Sequence, residues 1–568
     1  MISRIILIVL VLAGVDAIAQ KEKFQINGSG RAYYFANELN IDESLDSITT
    51  RKANYGHTLL DLGVSVFPNK NTEVNGTFRI RNELGAFWGG GTTFEVRQLS
   101  LKGVAGNVVK YELGDIDVQL TPYTLFNFQE EGVVNESDAF SVRRDIVHYD
   151  MFYIDNSWRM QGAKTRFALK FNKLIKEIDV FSFITRQRPA GPTPERAFGG
   201  GSLRIRQSDN LTFGFNSVNN FDLTETIADS IRHRNGVHTA DVVYRLKSGD
   251  SKSVWLKGET GMSSTLYENY SDELAPDAMS DWFYDFSLTG ENSDKGLTVQ
   301  LGYKDVGADF FSPGAQTKRI DYSRFPGLYQ QITNDASGRP LSYTDVISGN
   351  SENSFQISEE LVPYFAAYNN SNPYGDATSN RRGAYLNLDR KDSTGFRTTF
   401  LNAAFTQQSR GTGTDNKKNF ILVEAGTDVY LNDYLGWKND FKLDLGVRFE
   451  NTLRSGEEFE EVDLNSLLID LGMTCEFAEN LDLLFGAKLW TVSGNAFVNE
   501  RNRFNAIEDF DIVNYDFTEN TLAGGLRYRF SENNMLTAQY QVFNIEHQDE
   551  DIADYGISQF TILFNMKF

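Results

Sequence analysis

Along most of the chain, apolar and polar residues alternate with a period of two. Val74, Gly76, Phe78 and Ile80 share one face, while Glu73, Asn75, Thr77, Arg79 and Arg81 take the other. Phe441, Leu443, Leu445 and Val447 likewise oppose Lys442, Asp444 and Arg448. Side chains that switch faces at every residue mark β-strands with one face buried in an apolar medium. The pattern persists to the last residue, with Phe560, Ile562, Phe564, Met566 and Phe568 together on one face. Where Phe94 and Val96 give way to Leu99 and Leu101, parity changes across Arg97-Gln98, which predicts a β-bulge.

Tight turns alternate with longer polar stretches. Pro68-Asn69-Lys70-Asn71, Ala105-Gly106-Asn107, Ser208-Asp209-Asn210 and Ala478-Glu479-Asn480 carry turn chemistry. Leu223 to Asn235, Glu268 to Met279 and Gly494 to Asp516 are predicted to be long connections at the other end. Short turns on one side and long loops on the other describe an all-β, antiparallel up-and-down barrel crossing a membrane, turns toward the periplasm and loops outside. Counting crossings from Phe24 predicts about 22 strands, within a range of about 18–24 and necessarily even. Two stretches, 121–156 and 305–380, are too long for simple connectors, so each is expected to be a constriction or plug inside the lumen or a cap over it.

The N-terminal segment fits export. Arg4 precedes an apolar run from Ile5 to Val15, and Ala17-Ile18-Ala19 precedes Gln20, the layout of a secretory signal peptide over residues 1–19. The run is too short for a membrane-spanning helix of about 20 residues. After it no continuous apolar run has that length, so a helical membrane protein is excluded, whereas a barrel hides its apolarity in alternation. The 25 Tyr and 43 Phe suit the aromatic girdles of such a barrel. A formal net charge of -22 argues against nucleic acid as a partner. The lone Cys475 implies no disulfide framework, the five histidines lack ligand spacing, and the acidic run Asp549, Asp551, Asp554 lacks the glycine of a tight calcium loop. Neither a metal nor a cofactor is expected.

The polar faces carry full charges, which a hydrated lumen permits and a dry core does not. By parity Arg79, Arg81, Arg97, Lys164, Arg166, Lys170, Arg204 and Arg206 line the pore, opposed by Glu73, Glu83 and Glu95 and, with less certain parity, Asp179. Opposed acidic and basic rows orient polar solutes in a channel; in a structural barrel they only stiffen the wall. No Gly-x-Ser-x-Gly elbow or catalytic histidine setting appears, so no enzyme is expected.

With its terminal Phe568, the alternating apolar face before it and the Ala17-Ile18-Ala19 export site, the chain resembles large porin-like outer-membrane β-barrel proteins of Gram-negative bacteria, particularly single-barrel families of the Bacteroidota. The resemblance covers nearly everything after Gln20 and implies no particular cargo. It implies that Phe560, Ile562, Phe564, Met566 and Phe568 are the signal read by the barrel assembly machinery during biogenesis, and that the outer membrane's lipid is the solvent. TonB-dependent receptors also resemble barrels of this size but begin with a globular plug, whereas strand-like sequence here starts at Phe24. Two functions remain: a channel passing small polar or charged solutes, and a closed accessory barrel serving other outer-membrane proteins as a subunit of a complex.

Overall fold

The computed structural model describes residues 23–41, 52–85, 92–126, 135–141, 159–188, 194–223, 232–249, 251–268, 279–316, 366–391, 396–458, 460–501, 507–549 and 554–568. The export segment 1–19 lies outside them. The described chain is a single 22-stranded sheet in which each strand pairs antiparallel with its sequence neighbours. Strand β1 (Phe24–Ile41) pairs with β2 (Lys52–Asn69) on one side and with β22 (Tyr555–Lys567) on the other, which closes the barrel. Closure leaves no unpaired edge, the condition for a sheet to sit in lipid.

The alternation works as the sequence predicts. In β12 (Met279–Asn292), Trp282, Tyr284, Phe286 and Leu288 are exposed on the outer surface, while Phe283, Ser287 and Thr289 are buried inside. In β22, Phe560 and Ile562 are outside and Gln559, Thr561 and Leu563 inside. Phe568 exchanges both backbone hydrogen bonds with Gly28 of β1, at 3.0 Å each, so the chain terminus forms part of the closure. Between β3 (Thr72–Glu83) and β4 (Thr92–Ala105), Thr77 pairs with Gln98 and Phe78 with Val96, which leaves Arg97 as the bulged residue.

Tight turns gather at one end. Gly106 and Asn107 take the left-handed conformation (φ 58° and 57°), as does Asn480 (φ 61°). The connection at 431–440 contains a short helix, Leu431–Leu435, that the alternation did not predict. At the other end, the described residues of 494–516 are strand rather than loop. There β19 (Leu481–Arg501) and β20 (Ile507–Ser531) continue as paired strands, because strands that outrun the apolar band have two wet faces and lose their alternation.

Candidate functional site

The barrel interior is not uniformly polar: apolar clusters occupy parts of it. Ile116 at the end of β5 (Val109–Ile116) and Val118 begin a segment that turns into the lumen rather than over it. Gln119 and Phe126 form an isolated bridge, and between them Tyr123 and Leu125 are buried. Tyr123 stacks on Phe283 at 3.9 Å and its hydroxyl donates to Asp285. Thr121 donates to Glu259 of β11 (Lys252–Glu268). The second long segment meets the first there: Phe126 N donates to Gly314 O, Ser312 Oγ to Thr124 O, and Phe310 packs edge-on to Phe283. Further along, Ala366 and Ala367 are buried with Leu468, Trp490, Val492 and Phe543 of the opposite wall. Residues 121–126, 310–315 and 366–367 thus pack on inward-facing residues of the wall.

Residues 135–141 cross to that opposite wall, where glycines make room for them. Gly426 of β16 (Asn419–Tyr430), Gly472 of β18 (Val462–Ala478) and Gly486 of β19 all point inward. A Cβ at Gly426 would stand 2.7 Å from Asn135 Cβ, at Gly472 2.5 Å from Ser137 Cβ, and at Gly486 2.8 Å from the Phe140 ring, all closer than real carbon contacts. Gly472 and Gly486 face each other across the sheet, so the notch spans neighbouring strands. Charge holds the segment in that notch. Asp138 accepts from Lys442 Nζ and Arg527 Nη1, both at 3.1 Å, and Glu136 from Lys488 at 2.7 Å. Asn135, in the left-handed conformation (φ 47°), donates to the carbonyls of Thr427 and Leu445. Burial raises the Asp138 pKa, but Lys442 and Arg527 outweigh it and hold the carboxyl below the usual carboxylate range.

The inward segments lie between a cavity at each end. The one at the short-turn end, about 740 Å³, is where several of the expected pore charges meet: Glu73, Lys164, Arg166 and Arg204 line it. Lys102, Lys110 and Glu112 join them without having been anticipated, although their alternation with Leu101, Val109 and Leu113 marks them as inward-facing. Asp179, the residue of uncertain parity, also lines this cavity and pairs with Arg166, and Lys164 pairs with Glu112 at 2.7 Å. Arg204 reaches Asp241 at 3.3 Å. Arg206 pairs with Glu177, and Lys170 is exposed, both away from this cavity.

The remaining residues form a separate group. Arg79 is fully buried and grips Asp61 through Nε and Nη2, both at 2.8 Å. Arg81, also buried, contacts His57, which in turn contacts Arg31. Glu95 lies directly across from Arg79, beside the bulged Arg97. Arg79 and Arg81 face inward as parity requires, yet they meet protein rather than water, whereas Arg97 sits at the bulge where parity breaks. Glu83 ends β3, and its side chain lies outside the described residues.

The cavity at the long-loop end, about 530 Å³, is lined by Asp309, Arg381, Arg410 and Lys418 among others. No group of three or more His, Cys, Asp or Glu suited to a metal ion occurs among the described residues.

No protein-family model matches the chain, and no curated protein matches its sequence. Among solved structures it is similar to OpdQ of Pseudomonas aeruginosa, at 9% identity over 96% of this chain and 98% of that one with a TM-score of 0.34. It is similar to a BenF-like porin of Pseudomonas fluorescens Pf-5, at 12% identity over 80% and 99% with a TM-score of 0.36. A structure titled copper transporter OprC aligns at 10% identity over 97% and 82% with a TM-score of 0.46.

Proposed function

We propose that the chain is a porin-like outer-membrane channel, of the type found in Gram-negative Bacteroidota, for passive passage of small polar or charged solutes. The observation that carries this reading is the division of the lumen. A charge-lined cavity opens at each end, and between them lie loop segments seated on the wall by polar contacts. Such an arrangement narrows a pore and presents charge to what enters it. Lys164, Arg166, Arg204 and Glu73 are the wall charges offered to solute at the periplasmic end; Arg79 serves the wall itself. Phe560, Ile562, Phe564, Met566 and Phe568 serve as the assembly signal, and the exposed apolar face meets lipid.

One observation favours the alternative, a closed accessory barrel in an outer-membrane complex: Tyr123, Leu125 and Phe310 fill part of the lumen with apolar packing. Conductance of the purified, refolded barrel in a planar bilayer separates the two. A channel gives stable ohmic steps whose selectivity moves toward cations in Arg166→Glu and Arg204→Glu. A silent bilayer from a folded, heat-modifiable barrel refutes the channel and favours the accessory role.

A further inference from the structure

The outward face of the barrel changes character at the short-turn end. Strands β13 (Leu297–Val306), β14 (Arg381–Lys391), β15 (Phe396–Gln407), β16 and β17 (Phe441–Arg454) are successive neighbours in the wall. Their register sets Val299, Leu388, Leu401, Ala425 and Val447 side by side in one row. Leu301, Phe405 and Val447 share that parity and are exposed, whereas Thr406, Phe420 and Leu422 have the other parity and are buried inside. The row therefore faces lipid. Two residues nearer the turns, on the same outward face, the next row reads Leu297, Arg390, Thr399, Thr427 and Leu445. Apolarity gives way to polar groups between these two rows.

The change leaves a hollow in the wall. Thr399 and Thr427 are short, join their hydroxyls at 2.8 Å, and lie between the longer Arg390 and Leu445. With Leu297, Leu388 and Arg390, and with Asp294 and Lys295 of the turn before β13, they line a groove of about 740 Å³. Gly296, in the left-handed conformation (φ 55°), accepts from Lys391 N at 2.9 Å and holds that turn against β14. The neighbouring connection 431–440, between β16 and β17, carries exposed Tyr434, Leu435 and Trp437. Trp437 packs edge-on to Phe441, which continues the outward apolar face of β17. Tyrosine and tryptophan favour the headgroup level of a bilayer, which puts the polar row at that depth. A groove apolar on its membrane side and charged on its turn side has the polarity of a phospholipid, with acyl chains along Leu388 and Leu297 and a headgroup at the turn. The turn end carries both signs of charge, Lys295 and Arg390 with Asp294, and so matches a headgroup that carries both a phosphate and an ammonium. That match needs no excess of positive charge.

We propose that this outward groove binds a zwitterionic phospholipid of the periplasmic leaflet, with Arg390 and Lys295 toward its phosphate and Asp294 toward its ammonium. The site needs the barrel to sit in lipid but is indifferent to whether the lumen conducts. Native mass spectrometry of the full-length barrel in detergent tests it, with phosphatidylethanolamine, phosphatidylglycerol and diacylglycerol as probes. Phosphatidylethanolamine should bind about tenfold more tightly than diacylglycerol and about threefold more tightly than phosphatidylglycerol. Arg390→Gln and Lys295→Gln should each weaken it by about threefold or more, and Asp294→Asn should bring it to the level of phosphatidylglycerol. Thr399→Phe, which fills the groove without touching a charge, should weaken both phospholipids alike. Lys438→Gln removes an exposed cation outside the groove and should change nothing. Heat-modifiable mobility confirms that each variant is a folded barrel. Diacylglycerol held as tightly as the phospholipids, equal affinity for the two phospholipids, or affinity unmoved by the groove variants overturns the site.

Discussion

The seating of residues 135–141 against the far wall supports a quantitative prediction. Asp138→Asn keeps the shape of the side chain and removes the charge that faces Lys442 and Arg527. Those cations are not orphaned, since Lys442 also pairs with Asp444 and Arg527 with Asp482. The cost is therefore that of a charge-assisted contact rather than a stranded ion. With the Asp138 side chain still 26% exposed, the lower part of the usual range applies, about 1.5–2 kcal/mol. That shifts the balance between seated and unseated segment by roughly 10- to 30-fold. The assay is thiol modification of Ala139→Cys, introduced at a residue 1% exposed, in a Cys475→Ala background. When opening is fast relative to modification, the rate follows the open population, so Asp138→Asn should raise it by the same factor. Gly472→Ala should raise it without touching a charge, because its methyl group collides with Ser137. The pH sign follows from the depressed carboxyl: its contribution is complete above the ordinary carboxylate pKa and is lost only as pH falls through the lower, folded value. The rate, corrected for thiol ionisation, should stay flat from about pH 8 to about pH 5. A folded Asp138→Asn barrel labelled within about threefold of the parent would refute electrostatic seating.

Three further outcomes are expected, each read from the temperature at which the barrel loses its heat-modifiable mobility or from the amount of barrel that acquires it. Arg79→Met takes a bidentate partner from the buried Asp61 and should cost about 3–5 kcal/mol, whereas Arg79→Met with Asp61→Leu should recover most of the loss; equal loss in the double variant would refute the pair as the cause. Lys418→Met should stabilise the barrel at pH 7. With a folded pKa of about 7 against an ordinary value near 10.5, the burial penalty is complete below about pH 7 and fades as pH rises toward 10.5, so the gain should shrink over that window; a gain independent of pH would contradict the assignment. Phe568→Ala should reduce the amount of assembled barrel in cells; unchanged assembly would separate the terminal aromatic from the assembly signal.

What alternation revealed, and what it concealed, has a physical basis. A strand between lipid and the interior must repeat every two residues, so the strands and the inward direction of Lys164 and Arg166 were legible. The filling of the lumen was not, because the partners are far apart in sequence: Asp138 meets Arg527 across 389 positions. Traces of it were nevertheless present. Phe283 breaks its alternation by standing between Trp282 and Tyr284, apolar on the face that should be polar, and it is the residue on which Tyr123 stacks. Phe198 and Trp490 are inward aromatics of the same kind. Gly426, Gly472 and Gly486 interrupt strands where a side chain would ordinarily pack, and each marks the close approach of the inserted segment.

The same reasoning separates two roles among the inward charges. A guanidinium gripped bidentately by a buried carboxylate, as Arg79 is by Asp61, has its field largely cancelled at short range and chiefly orders the wall. A cation held by backbone carbonyls and aromatic faces, as Arg454 and Lys418 are, keeps its field and carries a cost in stability. Stability alone would therefore favour an apolar side chain at position 418 and oppose one at position 79. The two methionine substitutions test that distinction from opposite sides: Lys418→Met should make the barrel more robust, and Arg79→Met less so. Destabilisation by Lys418→Met would show that its carbonyl contact outweighs the burial of its charge, and the two kinds of inward cation would no longer be distinguished by their partners.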